Sequence, residues 1–342
     1  MPNVNIARKV VPLSETQAQQ PQLHEHARLL ARLKPWAGYV PKGYLVDFLG
    51  ALTDATFRAM WGADPAAVGG QHVETAIPTF ATDDESWFEA ANWAAAAAEA
   101  SGRFVMISLG AQFGTQSVGS YLALQQLNPM PCKLVAVEPE PGNFAWMRKH
   151  FIDNGIDPDE HWLLQAAIAE RNDPVLFPVG ASGHGAHNIM ATNPPSERDI
   201  YWRDLMKLGK PEESLRHLLM TNSTGLKRGI LGEGSEPVEI KYISAVTLDD
   251  ILGPFDFIDY LETDIQSAEE VVLPPAINKL KRKVRRIHIG THSEAGHRQL
   301  RQIFVNDGWT VIFDYEPYAT YETELGALSI DDGMLTLRNP SL

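Results

Sequence analysis

Hydrophobic residues along the middle of the chain fall into short runs, and segments with helical spacing separate them. The run FVMISL (residues 104–109) leads into the glycine loop GAQFG, and TQSVGSYLALQQL then carries apolar residues at helical positions. KLVAVEP (133–139) is a second run and WLLQAAI (162–168) a third. Apolar runs that alternate with helices predict a parallel sheet with right-handed crossovers, in which these strands lie in the order 3-2-1 from one edge.

The same alternation returns in the last third of the chain. FDFIDYLETD (255–264) predicts a fourth strand, RRIHIGTH (285–292) a fifth and WTVIFDY a sixth. ALSI, DDG and MLTL, which follow one another near the end of the chain, predict a hairpin of two strands. We therefore expect an α/β fold with a mostly parallel, doubly wound sheet and a C-terminal antiparallel hairpin.

The segments outside this alternation predict the domain organisation. Residues 1–81 combine a helical pattern around LHEHARLLARL with a Gly/Pro-rich passage, and we interpret them as a helical N-terminal accessory region. Residues 82–342 then form the main domain. Its stretch 181–237 is dense in Gly, Ser, Asn and Pro, which predicts an inserted cap over a substrate site. His184 and His187 in this cap suit a metal or substrate role, but no nearby acid or cysteine completes a metal site.

Composition narrows the class of protein. The chain of 342 residues has an ordinary apolar fraction of 44% and a formal net charge of -14, which disfavours nucleic acid and anionic membranes as partners. Cys132 is the single cysteine, so no intrachain disulfide forms. No stretch has the length and apolarity of a signal peptide or a membrane span. We expect a cytoplasmic protein that acts on a small molecule, and leave open whether it forms a homo-oligomer.

The glycine loop and the acid after the second strand predict a nucleoside cofactor. Gly110 and Gly114 let the backbone turn sharply, and an acid at the position of Glu138 accepts hydrogen bonds from ribose hydroxyls. The loop lacks the third glycine of the dinucleotide fingerprint and the lysine of a P-loop. A cofactor with a ribose and no phosphate is thereby favoured, namely S-adenosyl-L-methionine, over the nicotinamide of a dehydrogenase.

Three stretches of the chain resemble the FkbM methyltransferases, a branch of the Rossmann-like S-adenosylmethionine-dependent enzymes. ISLGAQFG resembles the D-x-G-A-N-x-G loop of that family, and AVEPEPGNFAWMRKH its second strand and helix. VTLDDILGPFDFIDYLETDIQSAEEVVL is similar to its K-x-D-x-E-G-x-E region, with Asp264 and Glu269 retained. The chain departs from the family pattern at Ser108, Gln112, Glu262 and the pair Gln266-Ser267.

The resemblance implies a Rossmann-like methyltransferase fold and O-methylation of a hydroxyl on a sugar, polyketide or similar metabolite. An S-adenosyl-cofactor-binding protein without transferase activity is the alternative. The residues expected at the cofactor are Ser108, Gly110, Ala111, Gln112, Gly114, Glu138, Pro139, Ala166, Ala167 and Asp264.

The strand order places the acceptor end of the site beside Asp264. If the fourth strand lies next to the first, its tip borders the Gly110 loop, and the fifth strand brings His292 to its far side. We predict Asp264 and His292 as catalytic groups, with His288 as a further candidate base or a packed residue. Our prediction includes no metal, although the same groups with Glu269 suit a divalent cation as an alternative.

Overall fold

The computed structural model describes residues 8–16, 20–59, 62–80, 85–180 and 239–342. The segment 181–237, which the sequence predicts to be a cap, lies outside the described residues together with His184 and His187.

The N-terminal region consists of short elements that pack on the main domain. They are β1 (Lys9–Val11), α1 (Leu13–Thr16), α2 (Gln20–Leu30), β2 (Ala37–Val40), β3 (Tyr44–Val46), β4 (Leu52–Asp54) and β5 (Gln71–Glu74), followed by α3 (Ser86–Glu99). β2 pairs with β5 and β3 with β4, both antiparallel. Leu23 and Leu30 of α2 are buried in the same apolar cluster as Trp87 and Phe88 of α3. The N-terminal region and the main domain therefore share a core.

The first half of the main domain contains the predicted alternation of strands and helices. Its elements are β6 (Phe104–Leu109), α4 (Thr115–Leu127), β7 (Cys132–Val137), α5 (Pro141–Asp153), β8 (Trp162–Leu164), β9 (Ala167–Ile168) and β10 (Val175–Val179). The second half contains β11 (Glu239–Ile243), β12 (Ala245–Val246), α6 (Leu248–Leu252), β13 (Ile258–Thr263), α7 (Glu269–Lys283), β14 (Val284–Thr291), α8 (Glu294–Asn306), β15 (Thr310–Tyr315), β16 (Ala319–Thr323), β17 (Gly326–Ile330) and β18 (Gly333–Arg338).

Seven strands form the central sheet, in the order β15-β18-β14-β13-β6-β7-β8. The five strands from β14 to β8 run parallel, and β18 is antiparallel to both of its neighbours. The predicted order 3-2-1-4-5 and the mostly parallel sheet are thus confirmed. This is the arrangement of a Rossmann-like methyltransferase fold.

Alternation along each strand divides the core between the two faces of the sheet. Met106 and Tyr260 belong to the cluster that packs on α2, α3 and α4, whereas Ile107 and Leu261 belong to the cluster that packs on α6, α7 and α8. Successive side chains of a strand point to opposite faces, so a strand covered on both sides is apolar throughout. This explains why the core strands appear in the sequence as continuous runs.

The predicted C-terminal hairpin is wrong in its pairing. β17, which contains ALSI, pairs with β16 in a small sheet that β1 completes, while β18, which contains MLTL, enters the central sheet. Residues 333–337 of β18 are all buried, whereas β17 alternates between buried and more exposed positions. A strand that is apolar on both faces is stabilised by insertion between β14 and β15, and an alternating strand suits a sheet with one face in solvent.

The predicted third strand, WLLQAAI, divides into two strands. Trp162–Leu164 pairs with β7, and Ala167–Ile168 pairs with β12 instead. Leu164 lies opposite Val137, the last residue of β7, so the chain beyond it has no neighbour in the central sheet. The division places Ala166 and Ala167 in the wall of the cleft beside the sheet.

Candidate active site

A cleft lies at the carboxyl ends of β6, β7 and β13. The chain passes from β6 to β7 on one side and returns to β13 on the other side of β6, so the strand order reverses here. Ligands of doubly wound folds bind at such a reversal. The cleft is open to solvent and comprises about 490 Å³ of empty space. Its lining residues are Gly110, Gln112, Val137, Glu138, Pro139, Asn143, Ala166, Ala167, Ile168, Phe177, Asp264, Ile265 and Ala268.

The structure brings most of the predicted cofactor residues to this cleft. Ser108, Ala111 and Gly114 are the exceptions, since they do not line it. Six lining residues were not predicted: Val137, Asn143, Ile168, Phe177, Ile265 and Ala268. Asn143 and Phe177 come from segments whose side chains reach the cleft only through the tertiary packing of α5 and β10. No local signal in the sequence marks them.

The glycine loop connects the tip of β6 to both neighbouring strands. The backbone N–H groups of Gly110 and Ala111 donate to Val137 O at 3.0 Å, and Asp264 N donates to Leu109 O at 3.0 Å. Gly110 has a φ of 80°, and a Cβ at this position would collide with the backbone oxygen of Asp264. Glycine is therefore required here by the close approach of β13, in addition to any ligand.

Glu138 is a buried carboxylate at the end of β7. Its oxygens accept hydrogen bonds from the backbone N–H groups of Gln112 at 2.8 Å and Glu140 at 2.9 Å. Burial raises its pKa to about 8, although these N–H donors oppose the shift. The carboxyl group is held in one orientation beside the cleft, and below pH 8 it carries a proton in the cofactor-free protein.

Asp264 and His292 are in direct contact, as the strand order predicts. His292 Nε2 lies 3.0 Å from Asp264 Oδ1, and His292 Nδ1 lies 3.2 Å from Asp332 Oδ1. Burial disfavours the charged ring, but the carboxylates, Asp264 first, raise the pKa of His292 well above its usual value. The pKa of Asp264 is lowered, since His292 and Gln266 outweigh its desolvation. At neutral pH the contact is an imidazolium–carboxylate pair.

The side chain of Asp264 faces the cleft, with 45% of its surface exposed, whereas His292 and Glu269 lie behind it. The His292 side chain is 6% exposed. Glu269 is 1% exposed and accepts a short hydrogen bond from Ile265 N. Burial raises the pKa of Glu269 to about 7, with His292 opposing and Asp264 adding to the shift. Only Asp264 of these three lines the cleft.

The loop after Asp264 has strained backbone. Gln266 and Ser267 have φ values of 57° and 74°, in the left-handed region that side chains other than glycine rarely adopt. Conformations of this kind cluster at functional sites, where the surrounding structure holds them.

His288 lies away from the cleft. It is buried on β14, and its Nδ1 is within hydrogen-bond distance of Thr336 Oγ1 at 2.7 Å and of Asn92 Nδ2 at 3.2 Å. Burial lowers its pKa to about 4, so the ring is neutral. This placement favours the packed interpretation of His288 over the catalytic one.

Comparison with known proteins identifies the family. The family model described as "Methyltransferase FkbM domain" matches residues 109–310, which is more than half of the chain. The chain belongs to the FkbM methyltransferase family. This FkbM chain is 25% identical over 209 residues to a "Putative methyltransferase" of Jannaschia sp. (strain CCS1). That match covers 61% of this chain and 63% of the relative, so more than a third of the relative lies outside it.

Solved methyltransferase structures resemble the FkbM chain distantly. A precorrin-6y C5,15-methyltransferase from Geobacter metallireducens is 10% identical, with a TM-score of 0.35, over 73% of this chain and 86% of that one. An O-methyltransferase from Bacillus cereus, solved in complex with SAH, is 9% identical, with a TM-score of 0.34, over 84% of this chain and 91% of that one. The fold assignment itself rests on the strand order of the chain and on the family match.

Two departures from the FkbM pattern are neighbours in the structure. Ser108 on β6 lies directly opposite Glu262 on β13, and Ser108 Oγ donates to Glu262 Oε2 at 2.6 Å. Burial, with a contribution from the charge of Asp264, raises the pKa of Glu262 well above its usual value. Ser108 and Glu262 stand where the family pattern has an acid and a lysine, and in this chain the two side chains contact each other across adjacent strands.

The cleft fits S-adenosyl-L-methionine, the cofactor that membership of the family assigns to the chain. Among the described residues that line it, the ionisable side chains are two carboxylates, and no cationic side chain is present to bind a phosphate. Glu138 is an acceptor suited to the two hydroxyls of a ribose. Ala166, Ala167 and Ile168 form an apolar part of the wall of the cleft. This set of groups suits a nucleoside without a phosphate better than a dinucleotide.

Proposed function

We propose that the chain transfers a methyl group from S-adenosyl-L-methionine to a hydroxyl oxygen of a small metabolite such as a sugar or polyketide. The observation that carries this proposal is the position of Asp264. Its carboxylate faces the cleft at the tip of β13, next to the Gly110 loop, and His292 holds it in place. The net charge of -14 favours a small acceptor over a nucleic acid.

The residues on the β7 side of the cleft hold the cofactor in this proposal. Glu138 accepts hydrogen bonds from the ribose hydroxyls, and Ala166 and Ala167 pack against the adenine ring. When bound, S-adenosyl-L-methionine supplies an electrophilic methyl group, so the protein contributes mainly binding, orientation and electrostatics.

Asp264 acts on the acceptor. Its carboxylate accepts a hydrogen bond from the acceptor hydroxyl, which directs a lone pair of that oxygen toward the cofactor side of the cleft. The oxygen becomes strongly acidic only as it gains the methyl group, so a carboxylate of low pKa is sufficient to take its proton. His292 is a positioning residue, because its ring fixes Asp264 and balances its charge.

The test combines binding with turnover. We expect calorimetry to detect S-adenosylhomocysteine binding to the full chain, and a panel of hydroxylated metabolites to contain acceptors that give S-adenosylhomocysteine and a methyl ether. An RNA oligonucleotide and a carboxylic acid serve as contrasting acceptors. Methylation of either one in preference to every alcohol would contradict the proposal, as would binding of NAD without binding of S-adenosylhomocysteine.

A cofactor-binding protein without transferase activity is the second candidate. The Ser108–Glu262 pair and the strained Gln266-Ser267 turn favour it, because both depart from the family pattern close to Asp264. Tight S-adenosylhomocysteine binding without turnover of any acceptor supports this candidate over the first.

A further inference from the structure

We propose that Asp264, Glu269 and His292 bind a divalent first-row transition-metal cation such as Mn²⁺ at the acceptor side of the cleft. The three residues come from separate elements. Asp264 follows β13, Glu269 begins α7, and His292 lies between β14 and α8. The fold therefore brings together ligand types that no short sequence motif contains.

The ligand atoms are spaced as a metal site requires. One carboxylate oxygen of Asp264, one of Glu269 and one ring nitrogen of His292 all lie within 4.8 Å of one another. Two ligands at bond lengths of about 2.1 Å are separated by roughly 3 to 4.2 Å across the metal. A separation at the 4.8 Å limit exceeds this range by about 0.6 Å, a movement within the reach of side-chain rotation.

The donor set selects the kind of cation. Carboxylate oxygens suit Mg²⁺, Ca²⁺ and Mn²⁺, whereas imidazole nitrogen suits the later transition metals. Two carboxylates and one imidazole together favour a cation such as Mn²⁺, which accepts both donor types. Metal binding displaces the ring proton of His292, and the two carboxylates then balance the charge of the divalent ion.

The surroundings of His292 match those of a metal-bound histidine. Its Nε2 faces Asp264, while its Nδ1 lies 3.2 Å from the carboxylate of Asp332. Histidines that bind metals usually donate the other ring N–H to a carboxylate or carbonyl, which fixes the tautomer and the ring orientation. Asp332 directly precedes β18. Because it contacts Nδ1, the other ring nitrogen of His292, Nε2, is directed at the cluster.

The proposed site is buried on one side and open on the other. Glu269 is 1% exposed and the His292 side chain 6%, but Asp264 lines the cleft. A cation here has protein ligands behind it and room for an acceptor oxygen in front. This role rests on the proposed function: a cation held by Asp264, Glu269 and His292 would supply Lewis acidity that lowers the pKa of a bound acceptor hydroxyl, and Asp264 would then serve as one of its ligands.

Direct metal titration tests the site without a known acceptor. The probe is Mn²⁺, titrated into the full chain and followed by the electron paramagnetic resonance signal of the free ion and by calorimetry. We expect one tight site per chain. Glu269→Gln and His292→Ala should each weaken it at least tenfold, and Asp332→Asn by about 10- to 100-fold, the range for partners of metal-bound histidines.

Glu270→Gln is the matched control. Glu270 is the next residue of α7, and its side chain accepts a hydrogen bond from Ser293 Oγ instead of joining the cluster. We expect the control to bind Mn²⁺ as the wild-type chain does, with its circular dichroism and melting temperature confirming that all variants are folded. Equal loss in Glu270→Gln and Glu269→Gln would show diffuse binding to a chain of net charge -14 and overturn the proposal.

A second measurement separates this proposal from the proposed function. If folded wild-type chain binds S-adenosylhomocysteine but shows no Mn²⁺ site that Glu269→Gln weakens, the metal site is rejected and methyl transfer by Asp264 alone is retained. If the chain has the Mn²⁺ site but does not bind S-adenosylhomocysteine, the metal site stands and the proposed function fails.

Discussion

The two sides of the cleft each present one carboxylate, and the two carboxylates differ in what holds them. Glu138, at the tip of β7, is bonded to backbone N–H groups, and burial raises its pKa to about 8. Asp264, at the tip of β13, is bonded to the side chains of His292 and Gln266, and its pKa is lowered. Burial sets the pKa of the first group and backbone donors its orientation, whereas neighbouring side chains determine the pKa of the second.

This difference between Glu138 and Asp264 suggests separate functions for the β7 side and the β13 side of the cleft. A carboxyl group fixed by backbone donors changes little in position or charge when surface residues vary, which suits the recognition of an invariant cofactor. A carboxylate that depends on an imidazole and a second buried acid responds strongly to charge, which suits proton or metal chemistry. Variants that act on one side alone should therefore separate cofactor binding from turnover.

The largest effect is expected from Gly110→Val. The new side chain would collide with the backbone oxygen of Asp264, and the φ of 80° is unfavourable for valine. We expect S-adenosylhomocysteine binding to disappear in calorimetry. Gly155→Val is the control, since its φ is 70° but a Cβ there meets nothing within 4 Å. Binding retained by Gly110→Val would show that the loop does not contact the cofactor.

Asp264→Asn should reduce turnover by about tenfold or more, the low end of what a positioned acid or base contributes. His292→Ala should act in the same direction because it removes the group that positions Asp264. S-adenosylhomocysteine affinity should stay nearly unchanged in both variants, with Asp256→Asn, at an exposed position, as the control. Affinity lost together with turnover would contradict the division of tasks.

Glu138 predicts a pH dependence of cofactor affinity. Ribose hydroxyls donate to the ionised carboxylate, so S-adenosylhomocysteine affinity should rise with pH through a pKa of about 8. The increase between pH 7 and 9 is about tenfold if binding requires ionisation. Calorimetry over this range measures it, and Glu138→Gln should flatten the curve and weaken binding by about 1 to 3 kcal/mol at high pH.

Glu138 also makes the stability of the chain depend on pH. The pKa of Glu138 is raised on folding, so the native state holds a proton that the unfolded chain has released above pH 4.5. Its contribution to the free energy of unfolding therefore falls as pH rises from about 4.5 to 8. The free energy of unfolding of Glu138→Gln, measured with denaturant, should lack this fall between pH 4.5 and 8. If the wild-type chain and the variant show the same pH dependence of that free energy, the raised pKa of Glu138 is contradicted.

The smallest effect is expected from Ser267→Gly. Ser267 has a φ of 74°, and glycine adopts this conformation without the cost of a Cβ. The free energy of unfolding should rise by about 0.5 to 1 kcal/mol in urea denaturation, after allowance for the greater freedom of glycine in the unfolded chain. Ser101→Gly, outside the left-handed region, should instead be neutral or destabilising.

Much of the fold was predictable because the information is local. Continuous apolar runs such as residues 104–109 mark strands that are covered on both faces, and handedness then restricts their order in the sheet. Strand pairing at the C-terminal end was not predictable in this way. ALSI and MLTL are separated by a turn-like DDG, but the burial of both faces of β18 decides its partners.

The side chains of the candidate site were likewise predictable only in part. The sequence indicated Gly110, Glu138 and Asp264, because each follows a strand whose carboxyl end must lie at the same edge of the sheet. It also placed His292 beside Asp264 through the order of the strands. It did not indicate that Ser108 pairs with Glu262, since this contact depends on the register between β6 and β13.

No helix in the ranges that the structure describes is both long and apolar enough to cross a bilayer.

The sequence by itself determined the alternation of strands and helices, the order of the five parallel strands and the acids at the strand tips, because periodicity and glycine placement act over a few residues. Only the tertiary structure decided the ionisation of those acids. Desolvation and neighbouring charge depend on groups distant in sequence, such as Asp332 beside His292 and Glu269 behind Asp264. Two carboxylates with similar sequence surroundings thus acquire pKa values displaced in opposite directions.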